Sequence, residues 1–256
     1  MIWYNLDKEI IMDKFKKITV DSLNSIDEKM RSGPERYAVD EKNGFFNDAF
    51  KKFPLNNEPE IVIMKMSLID ATNSTNLGRI LGNKDYVMNG RQVKRRVFTL
   101  SDLVEEVVSM RDFDERVEAG DVSLVNELAV WGKERGANIM SFFSKYCLYH
   151  NYIVYDKDDY SIFDSVVQRN LGKYITEEEF EVLFPGRKLR SPKEGENISD
   201  VLAKTISGII SSMKDDCDYE SYHKLIGDIL ELKKIDEHEV PKMRRKLDHL
   251  VWYINR

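Results

Sequence analysis

Apolar side chains recur along this chain at intervals of three and four. Leu124, Leu128 and Trp131 follow that spacing, Leu202, Ile206, Ile209 and Met213 repeat it, and Met243, Leu247 and Leu250 carry it near the end. Such stripes put one face of a helix against a core. Boundary residues agree with them. Thr176 followed by Glu179 forms a capping box, Thr99 or Ser101 can cap the helix carrying Leu103 and Val107, and Gly136 can close the helix of Trp131. The pattern predicts helices over about 5–31, 41–53, 57–71, 74–82, 100–117, 121–135, 138–150, 164–172, 176–184, 198–213, 218–234 and 239–254. Period-two alternation is poor, with "QVKRRVF" (92–98) and "YIVY" (152–155) as the two candidate strands. The expected class is therefore all-α with at most a few short strands. No Gly/Pro/Ser linker, internal repeat or low-complexity tract divides the chain, so a single two-lobed helical unit is expected, with lobes near 56–136 and 1–55 plus 137–256. The loop 184–197, "FPGRKLRSPKEGEN", is where mobility is expected.

Composition narrows the class without changing it. A chain of 256 residues with 42% hydrophobic and 33% charged side chains can bury a core throughout its length. Its two cysteines, Cys147 and Cys217, form no CxxC pair, which excludes a disulfide framework and a four-cysteine cluster and fits a reducing, cytoplasmic setting. The longest apolar run, "IVIMKMSLI", is too short and too charged to span a bilayer, so no membrane partner is expected. A net charge of −6 argues against nucleic-acid binding through a uniformly basic surface. Positive charge nevertheless gathers in three clusters: Arg91, Lys94, Arg95 and Arg96; Arg187, Lys188, Arg190 and Lys193; and Lys242, Arg244, Arg245 and Lys246. Each is either a solvated face or part of a local groove. The acidic run "DKDD" (156–159) near His150 lacks the glycine and terminal glutamate of a calcium loop, and His150, His223, His238 and His249 form no paired-ligand motif. Neither a metal nor a cofactor is expected, and no P-loop, dinucleotide fingerprint or GxSxG elbow occurs.

Two residues within "SKYCLYHNYIVYDKDDYSIFDS" (144–165) carry candidate chemistry. On a helix over 138–150, Ile139, Phe143 and Tyr146 share one side while Ser141, Lys145 and Leu148 share another, so Lys145 flanks the apolar side. A lysine there either lays its stem along apolar surface or, as the free amine, serves as a nucleophile. Asp164 directly precedes "SVVQRNL" and reads as a helix N-cap. An aspartate in that position also sits at the positive end of the helix dipole, which keeps it ionised and fixes its second oxygen.

This stretch resembles the active-site region of the helix–hairpin–helix DNA glycosylases, an all-α base-excision superfamily. In its bifunctional members a catalytic lysine is followed, about twenty residues on, by a catalytic aspartate heading the next helix; here Asp164 stands nineteen residues after Lys145. "FDSVVQRNLGK" is similar to the family's "VDxxVxRxxxRLG" pattern, with Asp164, Val167, Arg169 and Gly172 in matching places. "GANIMSFFS" stands where the family's Gly-rich hairpin would lie, and the clear likeness runs over about 136–173. "SKYCLYHN … IFDS" also resembles segments of uncharacterised bacterial proteins, for which phage defence is one expected setting. The resemblance implies a DNA glycosylase with lyase activity, in which Lys145 attacks the sugar and Asp164 assists. It further implies that Phe142, Tyr146 and Tyr149 pack against an extruded base, and that DNA is contacted by Asn73 and Asn76 on a duplex-inserting turn, by Arg169, and by Arg95 and Arg96. The alternative is a catalytically silent helical protein of the same ancestry that binds DNA or a protein partner.

Overall fold

The computed structural model describes residues 16–32, 44–73, 75, 77, 85–88, 91–94 and 98–255. The expected contacts Asn76, Arg95 and Arg96, and most of the expected helix 74–82, lie outside these residues. The fold they form is all-α apart from one short hairpin. In chain order the helices are α1 (Val20–Ser32), α2 (Gly44–Lys52), α3 (Pro59–Asn73), α4 (Leu100–Ser109), α5 (Phe113–Ala119), α6 (Ser123–Glu134), α7 (Met140–Val154), α8 (Ser165–Asn170), α9 (Glu177–Leu183), α10 (Ile198–Asp216), α11 (Tyr219–Leu232) and α12 (Met243–Asn255). Strands β1 (Asp85–Met88) and β2 (Arg91–Lys94) pair antiparallel with Tyr86 opposite Val93. Among the described residues no helix is long and apolar enough to cross a membrane.

The described chain divides into two units. One takes residues 16–32, 161–213 and 221–255, and the other takes 44–160 and 214–220. This division differs from the expected lobes, because 44–55 and 137–160 join the central helices. The reason lies in α7, which packs against α2, α3, α5 and α6 and has twelve of its fifteen residues buried. Phe143, Tyr146 and Leu148 are at most 1% exposed, and full burial of one such side chain contributes roughly 1.5–3 kcal/mol. A helix buried on nearly every side cannot belong to the rim of its unit.

In the other unit α12 packs on α1 and α8, and His249 Nδ1 lies 2.7 Å from Asp27. The one-turn 3-10 helix Leu171–Tyr174 approaches α10 so closely that a Cβ on Gly172 would stand 2.7 Å from Ala203 Cα. Gly172 thus has a packing reason of its own. Thr176 and Glu179 form the expected capping box of α9. In the loop 184–197, Glu196 accepts from Arg190 at 2.6 and 2.7 Å and from Lys204 at 2.7 Å.

Two local expectations are corrected. "YIVY" is the end of α7 rather than a strand, because Ile153 stays on its buried side and Asn151 O accepts from Tyr155 N at 3.2 Å. The expected helix 100–117 is two helices, broken at 110–112. Buried positions jump from Val107 to Phe113, a spacing that one continuous helix would rotate away from the core. The basic cluster near the C-terminus is tied into the fold. Arg245 is 3% exposed beside Asp248, Arg244 Nη1 donates to Ser161 Oγ at 3.2 Å, and Lys246 donates to Asn24 Oδ1 at 2.8 Å.

Candidate functional site

Lys145 belongs to the second unit and Asp164 to the first. Lys145 lies in the second turn of α7 with 6% of its surface exposed. The chain reaches it through a tight turn between α6 and α7, where Gly136 adopts φ +93° and its N–H donates to Lys133 O at 2.9 Å. The turn folds back so closely that a Cβ on Gly132 would meet Ile139 Cγ1 at 2.5 Å and Ala137 O at 2.8 Å. Its amides bond inward: Ala137 N to Gly132 O, Met140 N to Asn138 Oδ1, and Phe142 and Phe143 N to Ile139 O. Those N–H groups are therefore not arranged as a nest for a phosphate.

Asp164 is the N-cap of α8, as its position before "SVVQRNL" implies. Its backbone is extended (φ −144°, ψ 171°), and Oδ1 accepts from Val166 N at 2.8 Å and Val167 N at 2.9 Å. Arg169 is exposed, and its Nε donates to Ser165 O at 2.8 Å. Asn73 closes α3, and its backbone alone is described.

The expected base pocket is corrected. Phe142, Tyr146 and Tyr149 are each at most 1% exposed and serve as core. Phe142 packs edge-on to Phe143 at 5.3 Å between centroids, Tyr149 packs edge-on to Phe46 at 5.1 Å, and the Tyr146 hydroxyl donates to Asn56 Oδ1 at 2.6 Å. The spacing that placed them on α7 was read correctly, but α7 is wrapped by other helices instead of lining a cleft.

Sequence reasoning passed over a polar cluster beneath them. Asn56, between α2 and α3, is 3% exposed. Its backbone N–H donates to Asp114 Oδ2 at 2.9 Å and its Nδ2 to Asp114 Oδ1 at 2.5 Å. Its Oδ1 accepts from Tyr146 and, at 3.1 Å, from Lys65 Nζ, which also donates to Leu55 O at 3.2 Å. Lys65 and His150 are each 0% exposed. Lys65 Nζ lies 3.5 Å from His150 Nδ1, and His150 Nε2 lies 3.4 Å from Asp114 Oδ1. Asn56 Nδ2 lies 3.4 Å from both ring nitrogens; an ammonium and an amide N–H only donate, so Nδ1 is assigned as their acceptor and the ring proton to Nε2, facing Asp114. The signal for this site in the sequence was one lysine inside the apolar run "IVIMKMSLI".

Burial dominates the electrostatics of the cluster. It lowers the Lys65 pKa to about 8 against the opposing charge of Asp114. The His150 pKa is lowered first by burial and then by the Lys65 charge, while Asp114 opposes both. Burial works to raise the Asp114 carboxyl, but hydrogen bonds from His150 and Asn56 outweigh it and hold the group below its ordinary range. Two cations 3.5 Å apart repel by about 5 kcal/mol at an effective dielectric near 20. Lys65 and His150 therefore do not carry charge together, and neutral His150 with Lys65⁺ and Asp114⁻ is the balanced assignment. With Asn56, Lys65 and His150 buried and Asp114 only partly exposed, the cluster ties chain segments together. Elsewhere, burial raises the Cys147 thiol and makes it inert, and burial with the Arg244 charge lowers His223 to about 3. Among the described residues no group of three acidic, histidine or cysteine side chains is arranged to hold a metal.

The family model HI_0787_N, described as an N-terminal domain, matches residues 19–157, more than half of the chain. That range includes Lys145 and every member of the Asn56 cluster and stops short of Asp164. A protein of Haemophilus influenzae (strain ATCC 51907 / DSM 11121 / KW20 / Rd), named only as uncharacterized, is 33% identical over 78 residues, 29% of this chain and 35% of that protein. The match thus spans about a third of the length of that curated relative. No solved structure matches.

Proposed function

The chain belongs to the HI_0787_N family, and for this member we propose a base-removing action on DNA, with Lys145 as the nucleophile and Asp164 as its assistant. One observation carries the reading. A lysine held 94% out of solvent, in a helix entered by a tight turn, is followed nineteen residues on by an aspartate whose one oxygen is fully engaged as an N-cap. Capping fixes the direction of the second oxygen, and burial of the lysine stem limits the paths open to its amine. In the proposed reaction the neutral Nζ of Lys145 forms a bond to the sugar C1′, and the C1′–base bond breaks with its electron pair leaving on the base. Loss of a proton from that nitrogen and breaking of the C1′–O4′ bond open the sugar to a Schiff base, which gives up a C2′ proton and expels the 3′ phosphate as the C3′–O bond breaks, nicking the strand. Asp164 stabilises the positive charge that develops on the sugar. Arg169, exposed at the end of α8, is the described residue best suited to meet a phosphate.

The packed rings of Phe142, Tyr146 and Tyr149 and the inward-bonded α6–α7 turn support a second reading, a helical protein of the same ancestry that binds DNA or a protein partner without chemistry. Borohydride reduction in the presence of duplexes carrying abasic or oxidised-guanine sites separates the two. The first reading expects a covalent adduct that Lys145→Ala abolishes. A complete lack of adduct across such a panel, with the protein folded, leaves the second.

A further inference from the structure

Asn56 stands in the middle of the segment 53–58 that joins α2 to α3. Its neighbours Pro54, Leu55, Asn57 and Glu58 are exposed, with Leu55 at 49%. Fixing this segment therefore falls to Asn56, through its side chain and its N–H bond to Asp114, and to the Leu55 carbonyl that Lys65 holds. The contact between Lys65 and His150 depends on one distribution of protons. Lys65 points at His150 Nδ1 because that nitrogen is a bare acceptor, and a proton placed there turns the acceptor into a second cation 3.5 Å away.

Relief is available in one direction. Lys65 has a flexible stem and starts from the second turn of α3, just after the exposed segment, so displacement of 53–58 lets its amine reach water. His150⁺ then remains beside Asp114⁻, which it already faces through Nε2. Of the charged groups on the helices packed against α7, Asp114 and Lys65 act on the imidazole; Arg116 and Asp121 act on Cys147, and Glu115 and Glu118 act on Tyr155. The Phe50 ring of α2 and the Tyr155 ring complete the surroundings, at 6.1 and 5.6 Å between centroids.

We propose that the cluster is a one-proton latch: uptake of a proton by His150 Nδ1 expels the Lys65 ammonium and releases segment 53–58 from α7, while the helices of the unit stay folded. The released state has gained one proton from solvent, keeps the His150–Asp114 pair inside and places Lys65 in water. What acid exposes is an asparagine, an already exposed leucine and the ends of α2 and α3. This device is independent of any action on DNA.

Hydrogen–deuterium exchange of the full chain tests it, read at the amides of 55–58 between about pH 7.5 and 5 and corrected for intrinsic rates. Protection of the Asn56 N–H falls about tenfold per pH unit once opening is linked to one proton, while amides inside α6 and α7 hold their protection. His150→Gln, which can still accept from Lys65 and donate to Asp114, flattens that slope. In Lys65→Met the competing cation is gone, and the His150 imidazole transition followed by NMR moves up toward the ordinary histidine value. Asn56 protection that ignores pH, a slope that survives His150→Gln, or an imidazole transition that Lys65→Met leaves in place each overturns the latch. Should His150→Gln fail to fold, the Lys65→Met shift decides alone.

Discussion

Asn56 and Asp164 are both small polar residues that fix a segment next to a helix, and they do so by opposite means. Asp164 works locally: one oxygen takes the amides two and three residues ahead, and the side chain stays half-buried. Asn56 works at a distance, joining α5 through Asp114, α3 through Lys65 and α7 through Tyr146, with almost no contact with water. Losing the local cap leaves two amides near a helix end that water can reach. Losing the distant hub takes a partner from a half-buried carboxylate, a buried ammonium and a buried phenol, where a lost hydrogen bond bears its desolvation cost. Burial, more than the number of hydrogen bonds, sets the difference.

The comparison can be broken most directly at its larger end. Asn56→Ala is expected to lower the unfolding free energy by about 3–5 kcal/mol, since it removes the shared partner of Asp114, Lys65 and Tyr146. Urea unfolding should show this as a lower midpoint with an unchanged slope. A loss below about 1 kcal/mol would mean that the hub contributes no more than an exposed cap.

Next in size is a pH effect. Lys65 has a folded-state pKa near 8, below the ordinary lysine value of 10.5. Between those values the unfolded chain holds the proton that the folded chain has lost, so this residue makes stability rise with pH across the window. Buried phenols such as Tyr146, raised by burial, act in the opposite sense as pH passes their unfolded value near 10. The clean quantity is wild type minus Lys65→Met. That difference should move in favour of the wild type by about 1 kcal/mol per pH unit between roughly 8.5 and 9.5, and a flat difference would show that Lys65 is not held at a lowered pKa.

Smallest are the effects at Asp164. Asp164→Ala should cost about 1 kcal/mol and Asp164→Asn only a few tenths, because asparagine caps a helix about as well. The second variant sharpens the functional question: an unchanged melting temperature together with loss of the borohydride adduct would separate a chemical role from capping. Retention of the adduct would confine Asp164 to its structural part.

How far each region was legible follows from the same contrast. The caps at Thr176 and Asp164 and the closure at Gly136 follow from neighbours within a few positions, and the structure has all three, while of the two candidates Thr99 and Ser101 it takes Thr99. The stripes of α6, α10 and α12 fall where the three-four spacing placed them. The break at 110–112 was missed because a change of helix phase looks like continued periodicity over a short window. The Asn56 cluster was missed for a deeper reason: its members lie at 56, 65, 114, 146 and 150, and no local pattern marks such a set.

From the sequence alone came the helical class, most helix ends and the place of Asp164 as an N-cap, since these depend on propensity, capping and spacing along the chain. Tertiary structure decided that α7 is enclosed, that its aromatic residues are core, and that a lysine, a histidine and an aspartate meet around one amide. Burial and charge separation depend on which distant segments meet, and the solvation cost of a charged group exists only once they have met.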